Sequence, residues 1–236
     1  MRANQENRRC KVVSFSGIDG AGKSTQIANL YTRLKDARLS VLLITFWDDV
    51  ARLKRIREGA GQTLFRGDKG VGTPAAPINR RDKNVQSWPM SGVRLGLYLV
   101  DAVSLRFAVE KAVRSGADLV ICDRYAYDEL ANLTLSNPII RAYVRFIMKI
   151  VPKPDISYFL DADPVQARAR KPEYPLDFLY TSRASYLALS EFVGGITIIP
   201  PTSIQDAERQ VTQLVLRLLS LDMTKNQLAE RLVGES

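Results

Sequence analysis

The chain has no histidine among its 236 residues. This absence excludes Ser-His-Asp triads, Cys-His pairs, histidine-ligated metals and imidazole acid–base catalysis. Cysteine is scarce too, because only Cys10 and Cys122 are present, far apart and without the spacing of a zinc site. They predict no disulfide framework, so we expect a cytoplasmic protein in a reducing compartment. Any chemistry must use carboxylates, lysine, arginine, hydroxyls or a diffusible metal.

Long hydrophobic runs are also lacking. No stretch approaches the roughly 20 apolar residues that a membrane helix needs, and the N-terminus has no apolar signal segment. We therefore expect no membrane as a partner. The net charge of +9 fits either a solvated basic surface or a site for anionic ligands such as phosphates. No nucleic-acid recognition motif is present, so we do not expect nucleic acid as a partner.

Short apolar runs alternate with helical patterns along the chain. The predicted strands cover residues 11–16, 41–46, 118–123, 156–160 and 196–200. The predicted helices cover residues 23–38, 93–114, 139–150, a segment opening at Pro164, 177–192 and 204–220. This alternation predicts an α/β fold, with a five-stranded parallel sheet flanked by helices on both faces.

Two segments break this rhythm. Residues 59–92 are rich in glycine, proline and basic residues, and could form either a substrate-side excursion or a surface loop. Residues 221–236, the C-terminal tail, carry a weak amphipathic pattern that fits a docking helix or a frayed end.

A phosphate-binding loop is the clearest motif. The residues from Gly17 to Ser24 match G-x-x-x-x-G-K-[ST] between a predicted strand and a predicted helix. Glycines let the main chain approach a ligand, and successive N–H groups form an anion nest at the positive end of the helix. The motif predicts a P-loop NTPase fold that binds ATP and Mg²⁺. The expected cofactor-binding residues are Gly17, Asp19, Gly20, Ala21, Gly22, Lys23, Ser24 and Thr25.

Three side chains of this loop have separate expected roles. Lys23 would reach the β- and γ-phosphates, Ser24 would ligate Mg²⁺, and Thr25 would lie near the α-phosphate. Asp19 is electrostatically awkward in a phosphate nest. It could stabilise the turn, or it could point at a hydroxyl of a second substrate.

The segment "LVICDRYAYDE" follows the same logic. Asp123 ends the third predicted strand, at the edge of the sheet where open α/β folds bind ligands. It could hold Mg²⁺ through water or orient an acceptor. Arg124 could clamp a phosphate with two hydrogen bonds, or the two residues could form a simple ion pair. Tyr125 and Tyr127 could line a base pocket.

Four segments, "GIDGAGKSTQ", "GADLVICDRYAYD", "YFLDADPVQARAR" and "DFLYTSRASYLALS", resemble thymidylate kinases in order and spacing, over residues 11–45 and 93–220. The resemblance implies one P-loop kinase domain over residues 1–236 that transfers the ATP γ-phosphoryl group to dTMP with Mg²⁺. It implies a small-molecule phosphate acceptor and leaves a homodimer open, since homodimers are common in the family.

The resemblance also implies roles for single residues. Asp19 would lie near the deoxyribose hydroxyl of the acceptor, while Asp123 and Arg124 would serve the metal and the acceptor phosphate. A lid over residues 168–180 would supply positive charge, because position 20 holds glycine where one subgroup of the family has arginine. Arg170 is the expected catalytic residue of the lid, and Arg168 and Arg183 are expected to contact ATP. Each lid residue could instead be a solvated basic side chain.

The resemblance fails on the acceptor side, over residues 47–96. Where the family has Arg-Glu-Pro-Gly-Gly, this chain has "TFWDDVARLKRIREG". Trp47 could stack on a base, and Asp48 and Asp49 could cap a helix or act as an acid. In the long helix, Tyr98 and Arg106 could replace the family's thymine-binding residues, or could be core and surface.

Three alternatives to dTMP phosphorylation therefore stay open. The chain could phosphorylate a different nucleoside or small molecule, because the altered segment lies where the family binds its acceptor. It could be a nucleotide-binding module without catalysis. It could also be an NTPase that depends on nucleic acid, which the net charge of +9 would suit.

Overall fold

The computed structural model describes residues 9–46 and 88–233. Its five strands are β1 (Lys11–Ser16), β2 (Val41–Thr45), β3 (Leu119–Asp123), β4 (Ile156–Leu160) and β5 (Ile196–Ile199). They form one sheet in the order β2-β3-β1-β4-β5, and every neighbouring pair is parallel. The predicted five-stranded parallel sheet is therefore confirmed, with strand bounds that differ by no more than one residue.

Seven helices accompany these strands in the part of the chain that the structure describes. They are α1 (Lys23–Asp36), α2 (Trp88–Val113), α3 (Ala126–Leu130), α4 (Pro138–Ile150), α5 (Pro164–Arg170), α6 (Leu176–Val193) and α7 (Ile204–Val233). Helix α2 begins at Trp88 rather than at residue 93, and α3 was not expected. Helix α7 continues through the predicted tail as far as Val233, so this part of the tail is helical.

Helices cover both faces of the sheet, as predicted. Val13 and Phe15 pack against apolar residues of α1 and α7, whereas Val12 between them packs with residues of α2, α4 and α6. Both faces of β1 are therefore buried under helices. This burial explains why apolar residues such as Val12 and Val13 follow one another along the strand and need not alternate with polar residues. Fully burying an apolar side chain such as Leu30 of α1 contributes about 1.5–3 kcal/mol.

The register of the strands brings the two sequence motifs together. Phe15 of β1 lies beside Asp123 of β3, and Asp123 lies beside Thr45 of β2. The phosphate-binding loop leaves β1 directly after Ser16. The loop and the Asp123–Arg124 pair therefore share the carboxyl edge of the sheet, which is the ligand-binding edge of open α/β folds.

Some of the residues singled out in the sequence lie outside the part of the chain that the structure describes. Trp47, Asp48, Asp49 and the segment as far as residue 87 lie outside the described residues. Within the ranges 9–46 and 88–233, none of the helices combines the length and apolarity required to cross a bilayer.

Candidate active site

The loop between β1 and α1 depends on glycine. Gly17, Gly20 and Gly22 have φ angles of 147°, 82° and 89°. A Cβ atom on Gly20 would lie 2.2 Å from the carbonyl oxygen of Ala167, and one on Gly17 would lie 2.6 Å from that of Leu160. The loop is thus packed against the end of β4 and against α5 so closely that side chains at these two positions are excluded.

Lys23 is the buried cation of the loop. Its side chain is 7% exposed, and Nζ donates hydrogen bonds to the carbonyl oxygens of Gly17 at 2.7 Å and Ile18 at 2.9 Å. Burial, together with the nearby Arg124 guanidinium, lowers the pKa of Lys23 to about 8. Ser24 and Thr25 are exposed in the first turn of α1, which has no acidic residue, so the positive helix end is open to an anion.

Arg124 reaches the loop from the end of β3. Its Nη2 donates to Oδ1 of Asp19 at 2.6 Å, and its backbone N–H donates to the carbonyl oxygen of Phe15 at 3.0 Å. Burial would raise the pKa of Asp19, but Arg124, Lys23 and Lys171 outweigh this effect and lower it. Arg124 has a φ of 70°, which is the left-handed region and is rare for a residue with a side chain.

Asp123 lies at the same edge and interacts electrostatically with Lys23. Its pKa is raised, because desolvation outweighs the attraction of Arg124 and Lys23. Across residues 9–46 and 88–233, acidic and cysteine side chains nowhere gather in threes that could hold a metal ion. Ser24 and Asp123 are therefore candidate Mg²⁺ ligands that fit the ion only if nucleotide oxygens complete its shell, which is how Mg²⁺ is commonly held.

Asp128 is a residue of this site that the sequence did not single out. Its carboxylate is buried and accepts hydrogen bonds from Ser16 Oγ at 2.7 Å, the Tyr125 backbone at 3.0 Å and Tyr186 Oη at 2.7 Å. Nη1 of Arg124 lies 3.5 Å from its Oδ1. The available signal was an acidic residue five positions after Asp123, which without tertiary contacts looks like an ordinary helix residue.

The predicted lid corresponds to the end of α5, the turn after it and the start of α6. It brings Arg170 to the loop, since Nη1 lies 3.9 Å from the place of a Cβ on Gly22, and Lys171 Nζ lies 3.9 Å from Oδ1 of Asp19. Arg168 is half-buried on α5. Arg183 instead forms a two-pronged ion pair with Asp161, at 2.6 Å and 2.7 Å.

Three of the residues expected on the acceptor side, Tyr98, Arg106 and Tyr127, are not gathered at the loop. Tyr127 is buried, with its hydroxyl 3.2 Å from Ser157 Oγ. Tyr98 is buried in α2 and accepts a hydrogen bond from Arg94 Nε at 2.8 Å. Arg106 is exposed and donates to Ile150, at the end of α4 that precedes β4 and so at the opposite edge of the sheet from the loop.

A groove runs from the loop toward the segment that follows β5. We call it the donor groove, and its walls include Ala21, Gly22, Thr25, Asp163, Arg170, Pro200 and Ile204. It begins where the phosphates would lie and is lined by residues of three segments: the loop with α1, the end of β4 with α5, and the turn after β5. Its position beside the phosphate-binding loop makes it the candidate site for the nucleoside part of a bound nucleotide.

A glycine-rich loop on a parallel sheet of this order, with a buried lysine, is typical of the P-loop NTPase fold. Similar proteins indicate the kind of enzyme. The chain is 28% identical over 222 residues to a probable thymidylate kinase of Pyrobaculum aerophilum, covering 88% of this chain and 97% of that protein. It is 34% identical over 125 residues to a probable thymidylate kinase of Staphylothermus marinus, which is 50% of this chain and 62% of that protein.

A bacterial relative agrees. The thymidylate kinase of Prochlorococcus marinus is 25% identical over 221 residues, which are 89% of this chain and 97% of the relative. No protein-family model matches the chain. These similarities, at 25–34% identity and mostly over nearly the whole chain, support the thymidylate kinase family and the activity of a nucleoside monophosphate kinase.

Proposed function

We propose that the protein transfers the γ-phosphoryl group of ATP, as its Mg²⁺ complex, to dTMP and so forms dTDP. The observation that carries this proposal is the 2.6 Å contact between Arg124 and Asp19, which joins the acceptor motif to the donor loop. The relatives over almost the whole chain support it, because they are thymidylate kinases or probable thymidylate kinases.

The donor would be held by the loop and by α1. The amide groups between Ile18 and Thr25 and the helix N-terminus favour the phosphates, and Lys23 neutralises their charge. The donor groove would take the nucleoside. Bound Mg²⁺ would draw charge from the phosphate oxygens, and Ser24 and Asp123 are the residues that would hold it there.

The acceptor would be held by Arg124 and Asp19. A guanidinium has five N–H donors, so contacts with two carboxylates leave donors for an acceptor phosphate. Asp19 would accept a hydrogen bond from the sugar hydroxyl. An ionised oxygen of that phosphate attacks the γ-phosphorus, the bond to the β–γ bridging oxygen breaks, and ADP leaves. No base is needed, which fits a chain without histidine.

The lid would complete the charge balance. Arg170 and Lys171 lie beside the loop, near Gly22 and Asp19, where their charges can screen the moving phosphoryl group. Closure of the lid residues around the bound phosphates would exclude water and suppress ATP hydrolysis. Arg183, which is bound to Asp161, would act on the position of α6 rather than on the phosphates.

A coupled assay of ADP release with a panel of nucleosides and monophosphates tests this function. We expect turnover with dTMP above dUMP, dCMP, dAMP and thymidine, and loss of at least about 100-fold in Lys23→Met and Arg124→Ala. Lys149→Met, an exposed lysine on α4, is the matched control and should keep full turnover. If Lys23→Met and Arg124→Ala both keep the turnover of the unmodified protein, the proposal is contradicted.

A kinase for a different acceptor is the second candidate. It is favoured by the positions of Tyr98 and Arg106, since neither side chain is brought to the loop. The same panel separates the two candidates, because a better acceptor than dTMP would appear in it directly.

A homodimer is part of the proposal, with α2 as its contact. The face of α2 opposite the core carries Val93, Gly96, Val100, Val103 and Phe107, with Val93 60% and Phe107 65% exposed. Their spacing of three and four residues is that of a helix–helix seam, and a second copy of this face matches it in length and apolarity. A cytoplasmic location also belongs to the proposal, since Cys10 and Cys122 are free buried thiols.

A further inference from the structure

Asp128 lies at the junction of four elements beside the candidate active site. Its carboxylate is bonded to Ser16 at the end of β1, to the Tyr125 backbone after β3, and to Tyr186 of α6. The Asp128 side chain is 1% exposed. Among the residues that the structure describes, the cationic group in contact with it is the Arg124 guanidinium. The fold therefore encloses this carboxylate almost completely, with Arg124 beside it.

The three hydrogen bonds fix both oxygens of this carboxylate. Oδ2 accepts from Ser16 and from Tyr125, while Oδ1 accepts from Tyr186 and also faces Nη1 of Arg124 at 3.5 Å. A carboxylate with all its partners in place is a rigid anchor. The other arm of the same guanidinium donates to Asp19 at 2.6 Å.

Arg124 is thus held between two carboxylates of opposite character. Asp19 is in the phosphate-binding loop and is 21% exposed, so a substrate can approach it, whereas Asp128 is sealed in the interior. The backbone of Arg124 is in the left-handed region, with φ at 70°, which this residue adopts at a cost that the surroundings must offset. A strained backbone that is held in place by its surroundings is typical of functional sites, where the orientation of the side chain is important.

We propose that Asp128 is a positioning residue for the acceptor, which holds the Arg124 guanidinium at the phosphate site and ties it through Tyr186 to helix α6 behind the lid. This inference rests on the proposed function, because it requires Arg124 to bind the acceptor phosphate. Asp128 itself touches neither substrate. Its removal should weaken the acceptor and leave the ATP site intact.

Steady-state kinetics with dTMP and ATP varied separately test this role. We expect Asp128→Asn to raise the KM for dTMP at least about 10-fold and to change the KM for ATP by less than about twofold. Tyr186→Phe keeps the charge and removes one hydrogen bond, so it should raise the KM for dTMP about two- to fivefold. This second variant keeps the test open if Asp128→Asn does not fold.

A double-mutant cycle separates positioning from a merely structural role. In an Arg124→Ala background, Asp128→Asn should change the KM for dTMP by less than about twofold, because the group through which it acts is gone. The inference would be overturned if Asp128→Asn raised the KM for dTMP by the same factor with and without Arg124. It would also be overturned if Asp128→Asn raised the KM for dTMP and the KM for ATP equally. Asp155→Asn is the matched control, since that carboxylate accepts from the Val12 backbone at 2.8 Å at the far edge of the sheet. It should leave both KM values unchanged.

The two proposals fail in different ways. Absence of dTMP turnover in the unmodified protein would contradict the proposed function, and the KM comparison would then be made with the best acceptor of the panel. Normal dTMP turnover together with an unchanged KM in Asp128→Asn and Tyr186→Phe would contradict the positioning role alone.

Discussion

The carbonyl oxygen of Ala167 lies 2.2 Å from the position that a Cβ atom on Gly20 would occupy. Ala167 is on α5, the helix whose last residues begin the predicted lid, and Gly20 is in the phosphate-binding loop. Helix α5 and the loop are therefore in main-chain contact, with no room for a side chain between them. Lid charges at Arg170 and Lys171 lie next to the loop because of this contact.

Replacing Gly20 with alanine tests the contact. The methyl group has to displace α5, and the φ of 82° adds strain of about 1–2 kcal/mol. We expect turnover to fall at least about 100-fold, since displacements near 1 Å have effects of this size. Gly92→Ala is the matched control, because a Cβ there meets nothing within 4 Å. It should keep full turnover in the same ADP-release assay and unfold at the same or a higher temperature. Normal turnover in Gly20→Ala would show that the lid does not depend on this contact.

The left-handed backbone of Arg124 predicts an unusual order of stability. At φ 70° alanine carries strain of about 1–2 kcal/mol that glycine avoids, which exceeds the 0.4–1 kcal/mol by which glycine favours the unfolded chain. Urea denaturation should therefore find Arg124→Gly about 1 kcal/mol more stable than Arg124→Ala.

The same pair of substitutions at Arg183 supplies the control. Arg183 lies inside helix α6, where glycine is the worse residue. Arg183→Gly should be about 1 kcal/mol less stable than Arg183→Ala. If glycine is the less stable residue at both positions, the left-handed conformation of Arg124 does not persist in solution.

The sequence predicted the sheet well and the site in part. Strands such as β1 are continuously apolar because both faces are covered, and this signal is local. The short helix α3 was missed, since five residues are too few for a periodic pattern. Asp128 was missed because its partners Ser16 and Tyr186 lie 112 and 58 residues away along the chain.

Arg183 and Tyr127 show the same limit. The pairing of Arg183 with Asp161 spans 22 residues and is set by how α6 packs beside β4. Tyr127 was expected in a base pocket, yet α3 directs it into the core, 3.2 Å from Ser157. Motif spacing identifies the groups that a chemistry needs, but the direction of a side chain depends on packing between distant elements.

The apolar face of α2 predicts a concentration-dependent dimer. Phe107→Glu places a charge in the proposed contact and should convert a dimer to a monomer in sedimentation velocity experiments. Leu216→Glu is the matched control, since Leu216 is a similarly exposed apolar residue on α7, and it should leave the sedimentation coefficient unchanged. A monomer in the unmodified protein at high micromolar concentration would contradict the α2 contact.

The buried lysine of the loop predicts a pH effect on nucleotide binding. The pKa of Lys23 is about 8 because burial and Arg124 oppose its charge, and arriving phosphates would raise it. Free protein therefore loses this proton above pH 8, and binding takes it back. The titration of Lys23 should therefore leave the ATP affinity unchanged below pH 8. Above pH 8 the affinity should fall, by up to about tenfold per pH unit. Terminal phosphates, with a second pKa near 6, are already ionised there and add no slope.

Calorimetry at pH 8.5 in two buffers of different ionisation enthalpy measures the proton directly. The unmodified protein should take up part of a proton when ATP binds, because Lys23 is mainly neutral at that pH before binding. Lys23→Met should bind ATP more weakly and without this uptake, since it has no group to titrate. Lys149→Met, at an exposed position on α4, should behave like the unmodified protein. Proton uptake that persists in Lys23→Met would assign the titration to another group and would remove Lys23 as the source of the pH dependence.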